Sequence, residues 1–322
     1  MRIQPYKEGD VVLLFYRLPF DFHSGTLPLD ILPTVYLDRT PFDLLATIPA
    51  ADADYLVPGY HAGKVLSTRC LRHDASKNQY PDLKPSDLFF ISIVGFRLQK
   101  PVGIEIAGQF EVGKENGEVK NEVLFLQTSA WQPDDGLRYS AKDISVASRI
   151  AADLIQISER ESQRDHKRIT SAIIYFSQIT CGSVKSLQLS YLGLWAALEA
   201  LFVPETSGSK ADKLARRIPK FLSNFEFPEK MSEWIKKEYK KRNKLVHGVQ
   251  DIVPWTGIRA SRAEAFGSLH EITRLCILGF LSLDEFQQVM LSVEKEELLG
   301  TKLDALKPAS GKYLEEQTMF LA

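Results

Sequence analysis
The hydrophobic period of this chain changes near residue 140, and the change restricts it to two parts of different construction. Before that point, short runs rich in β-branched and aromatic residues alternate with turn-forming stretches. Val11 to Tyr16, Leu88 to Phe96, Ile104 to Val112 and Glu122 to Gln127 read as strands. Lys114 to Lys120 reads as a hairpin loop, and Pro41 to Ala51 and Tyr60 to Arg72 as short helices. After residue 140, apolar residues recur every three to four positions, the spacing that puts them on one side of a helix. Asp143 to Glu161, Arg164 to Ile179, Leu187 to Val203, Lys210 to Phe221, Pro228 to His247, Ala260 to Leu283 and Asp284 to Leu299 all read this way. Ser209, followed by Asp212, resembles a capping box at the start of one of them. The expected class is α+β: a β-rich or α+β domain over 1–140, an all-α bundle over 141–300 and a tail over 301–322.

A chain of 322 residues with 44% hydrophobic and 25% charged residues is ordinary globular material for two cores. The net charge of -1 argues against a nucleic-acid coat protein. That average conceals an asymmetry, because from Ser207 to His247 there are 12 Lys and Arg against five Asp and Glu. The local excess is enough to steer a polyanion, although it also suits a solvated helix face. Three widely spaced cysteines, Cys70, Cys181 and Cys276, suggest neither a disulfide framework nor a zinc ribbon. Met1 to Pro5 leads into no apolar signal core, and the apolar stretch Leu187 to Val203 carries Glu199, so the expectation is a soluble cytoplasmic protein without a membrane partner.

Catalytic residue types meet at a meaningful spacing only in Lys240-Lys241-Arg242-Asn243-Lys244-Leu245-Val246-His247-Gly248. In the helix that this stretch closes, Met231, Ile235, Tyr239 and Val246 form an apolar stripe, and Arg242 lies on it. An inward arginine is costly unless paired or used. Glu199, the sole charge between Leu187 and Val203, is its natural partner. Asn243 and His247 are one turn apart, so the amide is expected to hydrogen-bond the imidazole. Arg242 and His247 diverge by about 140° around the helix, which suggests that a complete site needs two copies. His61, Cys70 and His73 fit no standard ligand set, Asp134, Asp135 and Gly136 read as a turn, and Thr206 to Lys210 lacks P-loop spacing; no metal and no cofactor is expected.

The pattern Tyr239-x-x-Arg242-Asn243-Lys244-Leu245-Val246-His247-Gly248, with Glu199 in an apolar helix before it, resembles the signature of the HEPN superfamily (higher eukaryotes and prokaryotes nucleotide-binding), and most of all its Apea-like branch. The likeness covers roughly the C-terminal half. It implies a helical bundle acting as a metal-independent endoribonuclease, with Arg242, Asn243, His247 and Glu199 in the site and the helix beside its partner carrying Glu199. It also implies a role as a toxin or in antiviral defence by abortive infection through shutting down translation. Lys237, Lys240, Lys241 and Lys244 are the expected RNA contacts. The RNA would be a tRNA or an mRNA, the active species a homodimer, and the N-terminal half a sensor or the site of a regulatory partner or ligand. Since RNA carries its own nucleophile in the 2′-hydroxyl, an acid/base histidine and a charge-stabilising arginine suffice for cleavage to a 2′,3′-cyclic phosphate and a 5′-hydroxyl. The alternative expectation is a noncatalytic HEPN module that binds a nucleotide, RNA or protein.

Overall fold
The computed structural model describes residues 6–20, 27–40, 69–77, 79–113, 119–123, 137–159, 167–180, 187–225, 231–247, 260–283, 296–311, 313–315 and 317. The chain is α+β and divides into two compact units. One comprises Met1–Ala152 with Cys181–Ser183, the other Asp153–Thr180 with Val184–Ala322.

The first unit is built on a six-stranded antiparallel sheet, in the order β2-β3-β4-β1-β5-β6. Its strands are β1 (Val11–Arg17), β2 (Leu29–Leu32), β3 (Val35–Arg39), β4 (Arg69–His73), β5 (Glu105–Val112) and β6 (Val119–Val123). β1 sits between β4 and β5, with Val12 opposite Arg72 on one side and Phe110 on the other. Val11 to Phe15 are all buried, which is why this strand reads as an unbroken apolar run rather than an alternation. One face packs Val12, Leu14, Cys70, Ala107 and Phe110 together, with Tyr6 against them. Burial pushes the Cys70 thiol up to about 12. Arg72 enters the same interior because Asp10 and Asp38 lie 2.6 and 3.5 Å from its guanidinium.

Two expectations for this half are corrected. Leu88 to Phe96 is not a strand; it belongs to helix α1 (Pro85–Gln99). A continuous apolar run carries no period of its own, so the ends decide. Here Pro85 occupies the first turn and Asp87 Oδ2 accepts from the Lys84 backbone N–H at 3.0 Å. The run is apolar throughout because α1 is covered on most sides: at Gly95 a Cβ would lie 2.6 Å from the Ala147 carbonyl oxygen, on helix α2 (Ala141–Glu159). The helix expected to reach Arg72 also fails, since Arg69–His73 pairs with β1 and β3, and Cys70 and Leu71 bury themselves on opposite faces of the sheet. β6 starts earlier than expected, at Val119. The expectations over 41–51, 61–68, 114–118, 124–127 and 284–295 lie outside the described residues.

The second unit is helical. It comprises α3 (Lys167–Thr180), α4 (Leu187–Phe202), α5 (Lys210–Phe221), α6 (Met231–Val246), α7 (Ala260–Leu281) and α8 (Glu296–Ala305). α4 is its hub and packs against α3, α5, α6 and α7. This is why α4 is apolar nearly all round: Leu194, Trp195, Ala197, Leu198, Leu201 and Phe202 are buried. Phe202, Phe221 and Phe280 form a three-way ring contact with centroids 5.1 to 5.5 Å apart. Ser209 caps α5 by accepting from the Asp212 N–H at 3.3 Å. α8 runs across residue 300, and Ala309, Tyr313 and Leu314 are buried beyond it, so the segment expected as a tail packs into this unit instead. No described helix is long and apolar enough to cross a membrane.

Arg217 ties α8 to the hub. It is 2% exposed, lies 2.6 Å from Glu205 and 2.7 Å from Asp304, and also donates to the carbonyls of Phe202 and Gly300. Burial alone would raise the Glu205 carboxyl, but the hydrogen bonds and charge of Arg217 outweigh it and hold Glu205 at about 2, against an ordinary 4.5. A carboxyl depressed by folding stabilises fully above its ordinary value and loses that contribution as pH falls through the folded one. The helical unit is therefore expected to lose about 3 kcal/mol from this group as pH falls from 4.5 through 2. Thermal melts of the wild type and Glu205→Gln measure it: the gap between them should close over that window, and a gap independent of pH would refute the assignment.

Candidate active site at the end of helix α6
α6 turns Ile235, Glu238 and Tyr239 into the bundle, and all three are buried. Trp195 of α4 meets the Tyr239 ring edge-on, with centroids 5.2 Å apart. One turn further along α4 from Trp195, Glu199 faces the same part of α6, and the pairing expected with Arg242 is formed. Arg242 Nη2 lies 3.0 Å from Glu199 Oε1, with the two side chains 23% and 13% exposed. The Tyr239 hydroxyl donates to the same Oε1 at 2.8 Å, and the Arg242 guanidinium sits 5.3 Å from the centre of the Tyr239 ring. The other oxygen, Oε2, accepts from Lys210 Nζ at 2.7 Å. One carboxylate therefore holds a tyrosine and two cations at once. Burial, followed by the neighbouring Glu199, pushes the Tyr239 hydroxyl far above its ordinary value, so it stays a donor.

Arg242 is half-buried rather than interior, and it leaves the bundle on the side where α6 ends. Asn243, Lys244, Val246 and His247 are exposed there. His247 lies just past the helix and keeps its backbone N–H on the Asn243 carbonyl at 3.1 Å. The expected side-chain bond between Asn243 and His247 is not formed. Asn243 Oδ1 accepts instead from Arg242 Nη1 at 3.2 Å, the nearer and charged donor. Gly248 lies outside the described residues.

The structure does not bring all the expected RNA contacts to Arg242. Lys237, Lys240 and Lys244 are exposed, but they point about 140–160° away from Arg242 around the helix. They share a flank with His247, which lies about 20° from Lys240 in the same projection. Lys241 is half-buried and bonded to Glu238. Glu238 also lies within reach of the Tyr191 hydroxyl, whose oxygen is 3.0 Å from the Glu238 carbonyl and 3.2 Å from its carboxylate. This second anchor between α4 and α6 was not foreseen from sequence, nor was Lys210. Tyr239 was placed on the stripe as an apolar residue, and its hydroxyl role went unread. The available signal for Lys210 was its place as the first residue after the Ser209 cap, which fixes its direction. Among the described residues no three His, Cys, Asp or Glu side chains cluster as metal ligands.

Compared with protein-family models, curated proteins and solved structures, the chain matches none of them.

Proposed function
We propose that the helical unit is an endoribonuclease of HEPN type that acts in the cytoplasm as a toxin or defence effector, cleaving a tRNA or mRNA without a metal. The observation that carries this reading is the state of Arg242: oriented by Glu199, Tyr239 and Asn243, yet 23% exposed at the end of the helix that bears His247. Here the guanidinium is held at a fixed angle and keeps donors for a ligand. In the proposed reaction a base takes the proton of the RNA 2′-hydroxyl, whose oxygen forms a bond to the adjacent phosphorus. The bond to the 5′-oxygen breaks, and an acid returns a proton to that oxygen. Arg242 bears the charge of the crowded phosphorane and His247 does the proton work.

Two copies supply a base and an acid together. Val246 supports such an assembly: it continues the stripe of Ile235 and Tyr239 but is 50% exposed, leaving apolar surface beside Arg242 for a second subunit. The N-terminal unit then serves as sensor or regulatory domain.

The noncatalytic alternative, a module that binds RNA, a nucleotide or a protein, is favoured by the missing bond from Asn243 to His247, which leaves the imidazole without that support. One experiment separates the two. Purified protein incubated with total RNA in excess EDTA is expected to yield fragments ending in 2′,3′-cyclic phosphate and beginning in 5′-hydroxyl. Fragments that require added magnesium or manganese and end in 3′-hydroxyl would refute the ribonuclease reading, and binding without any cleavage would favour the module.

A further inference from the structure
The lysines expected to hold RNA lie on the wrong side of α6 to share a phosphate with Arg242, whereas one lysine from another helix lies on the right side. We propose that Lys210 is a substrate-binding residue and that Lys210 and Arg242, the two cations that share Glu199, form a clamp for one phosphate of the RNA. This deepens the ribonuclease reading and rests on it for the identity of the ligand.

The geometry is direct. Lys210 Nζ lies 2.7 Å from Glu199 Oε2 and Arg242 Nη2 lies 3.0 Å from Glu199 Oε1. The two cations therefore flank a single carboxylate. Two positive charges against one negative leave a local excess of one, and Tyr239 adds no charge. Lys210 is 49% exposed, far more than Glu199 at 13%, so its side chain is open to solvent. Among the described residues Glu199 is its hydrogen-bond partner, which uses one of three ammonium donors and leaves two. Arg242 likewise spends one Nη on Glu199 and the other on Asn243, with further N–H groups remaining. One carboxylate bonded to both cations limits their spacing before the anion arrives.

The two roles differ. Arg242 is also anchored by Asn243 and by the Tyr239 ring, while among the described residues Lys210 is anchored through Glu199 and sits on the first turn of α5, positioned by the Ser209 cap. Lys210 therefore contributes to holding the substrate, and Arg242 to holding it and to the transition state. Lys236, by contrast, is already engaged with Asp212 at 2.7 Å.

The test uses the full chain, a labelled 2′-O-methyl RNA that cannot be cleaved, and a matching cleavable RNA. Binding of the first is titrated over a range of salt for wild type, Lys210→Gln and Lys210→Arg. Lys210→Gln is expected to weaken binding about fivefold at low salt and to reduce the slope of log affinity against log salt by about 0.7, the share of one phosphate contact on a single strand. Lys210→Arg should keep the wild-type slope. With the cleavable RNA, Lys210→Gln should raise KM and leave kcat within about twofold. An unchanged slope in Lys210→Gln overturns the clamp, and so does a loss of kcat with unchanged KM, which marks a residue that only props Glu199. If wild type binds with the expected Lys210-dependent slope but cuts nothing, the clamp stands and the ribonuclease reading falls. If wild type binds no RNA, both fall.

Discussion

If the proposed ribonuclease reading holds, His247→Ala is expected to lower the rate of RNA cleavage by about a thousandfold and to leave the melting temperature within about 1 °C of wild type. The first half follows from its role, since general acid/base residues contribute typically 10² to 10⁴ in rate, and the variant keeps Arg242 and its anchors intact. The second half follows from its surroundings. His247 is exposed, and its backbone bond to Asn243 does not involve the side chain. Surface substitutions away from caps and cores cost within about 0.5 kcal/mol. Single-turnover cleavage with calorimetry on the same preparation checks both. The same variant tests assembly: an excess of His247→Ala chains exchanged into wild type should depress activity below the wild-type fraction. Strict proportionality, with a monomer by sedimentation, would mean that each chain builds its own site.

Arg274→Ala destabilises the helical unit by about 3–5 kcal/mol, several times more than Arg242→Ala. Arg274 is wholly buried in α7, with its guanidinium in a two-point bond to Glu271 at 2.7 and 2.8 Å, and Glu271 is 1% exposed. Removing the arginine takes a two-point charged partner from a buried carboxylate and opens a cavity. In Arg242→Ala the situation is milder, because Glu199 keeps Tyr239 and Lys210 and was partly hydrated to begin with. About 1 kcal/mol is expected there, together with a loss of activity of about 10². Chemical denaturation of the two variants measures the contrast. The double variant Arg274→Met with Glu271→Leu should recover most of the loss, because a well-packed apolar pair substitutes for a buried ion pair. Equal costs for Arg274→Ala and Arg242→Ala would contradict the burial described here.

This contrast also shows which features the sequence made legible. The pairing of Arg242 with Glu199 was readable because both charges interrupt apolar stripes and the HEPN resemblance implies that their helices are neighbours. The depth of the pair was not readable. Lys210 and Tyr239, which share the carboxylate, come from the start of one helix and the middle of another, and periodicity within a segment says nothing about which ends meet across helices. Arg274 and Glu271 were missed for the opposite reason: α7 was read as one long helix, and two charges three apart on it look like a surface pair until the burial is known. Most helices after residue 140 were legible because they have one buried side of regular period, whereas α4 and α7, buried nearly all round, were legible from the length of their apolar runs. In the N-terminal half β1 and β5 were legible as strands from their β-branched and aromatic residues, whereas α1, buried on most sides, lost the stripe that tells a helix from a strand. Pro85 and Asp87 held the missing information for α1, as a helix start that outweighs the β-prone composition of Phe89 to Val94.

The central claim is that Arg242 and His247 act on RNA whose own 2′-hydroxyl is the nucleophile. The most direct test is an RNA carrying a single 2′-deoxy substitution at a mapped cut site, incubated with wild-type protein in EDTA. The account predicts that cleavage at that position disappears while other sites are cut as before. Cleavage of the substituted position at the wild-type rate would contradict it.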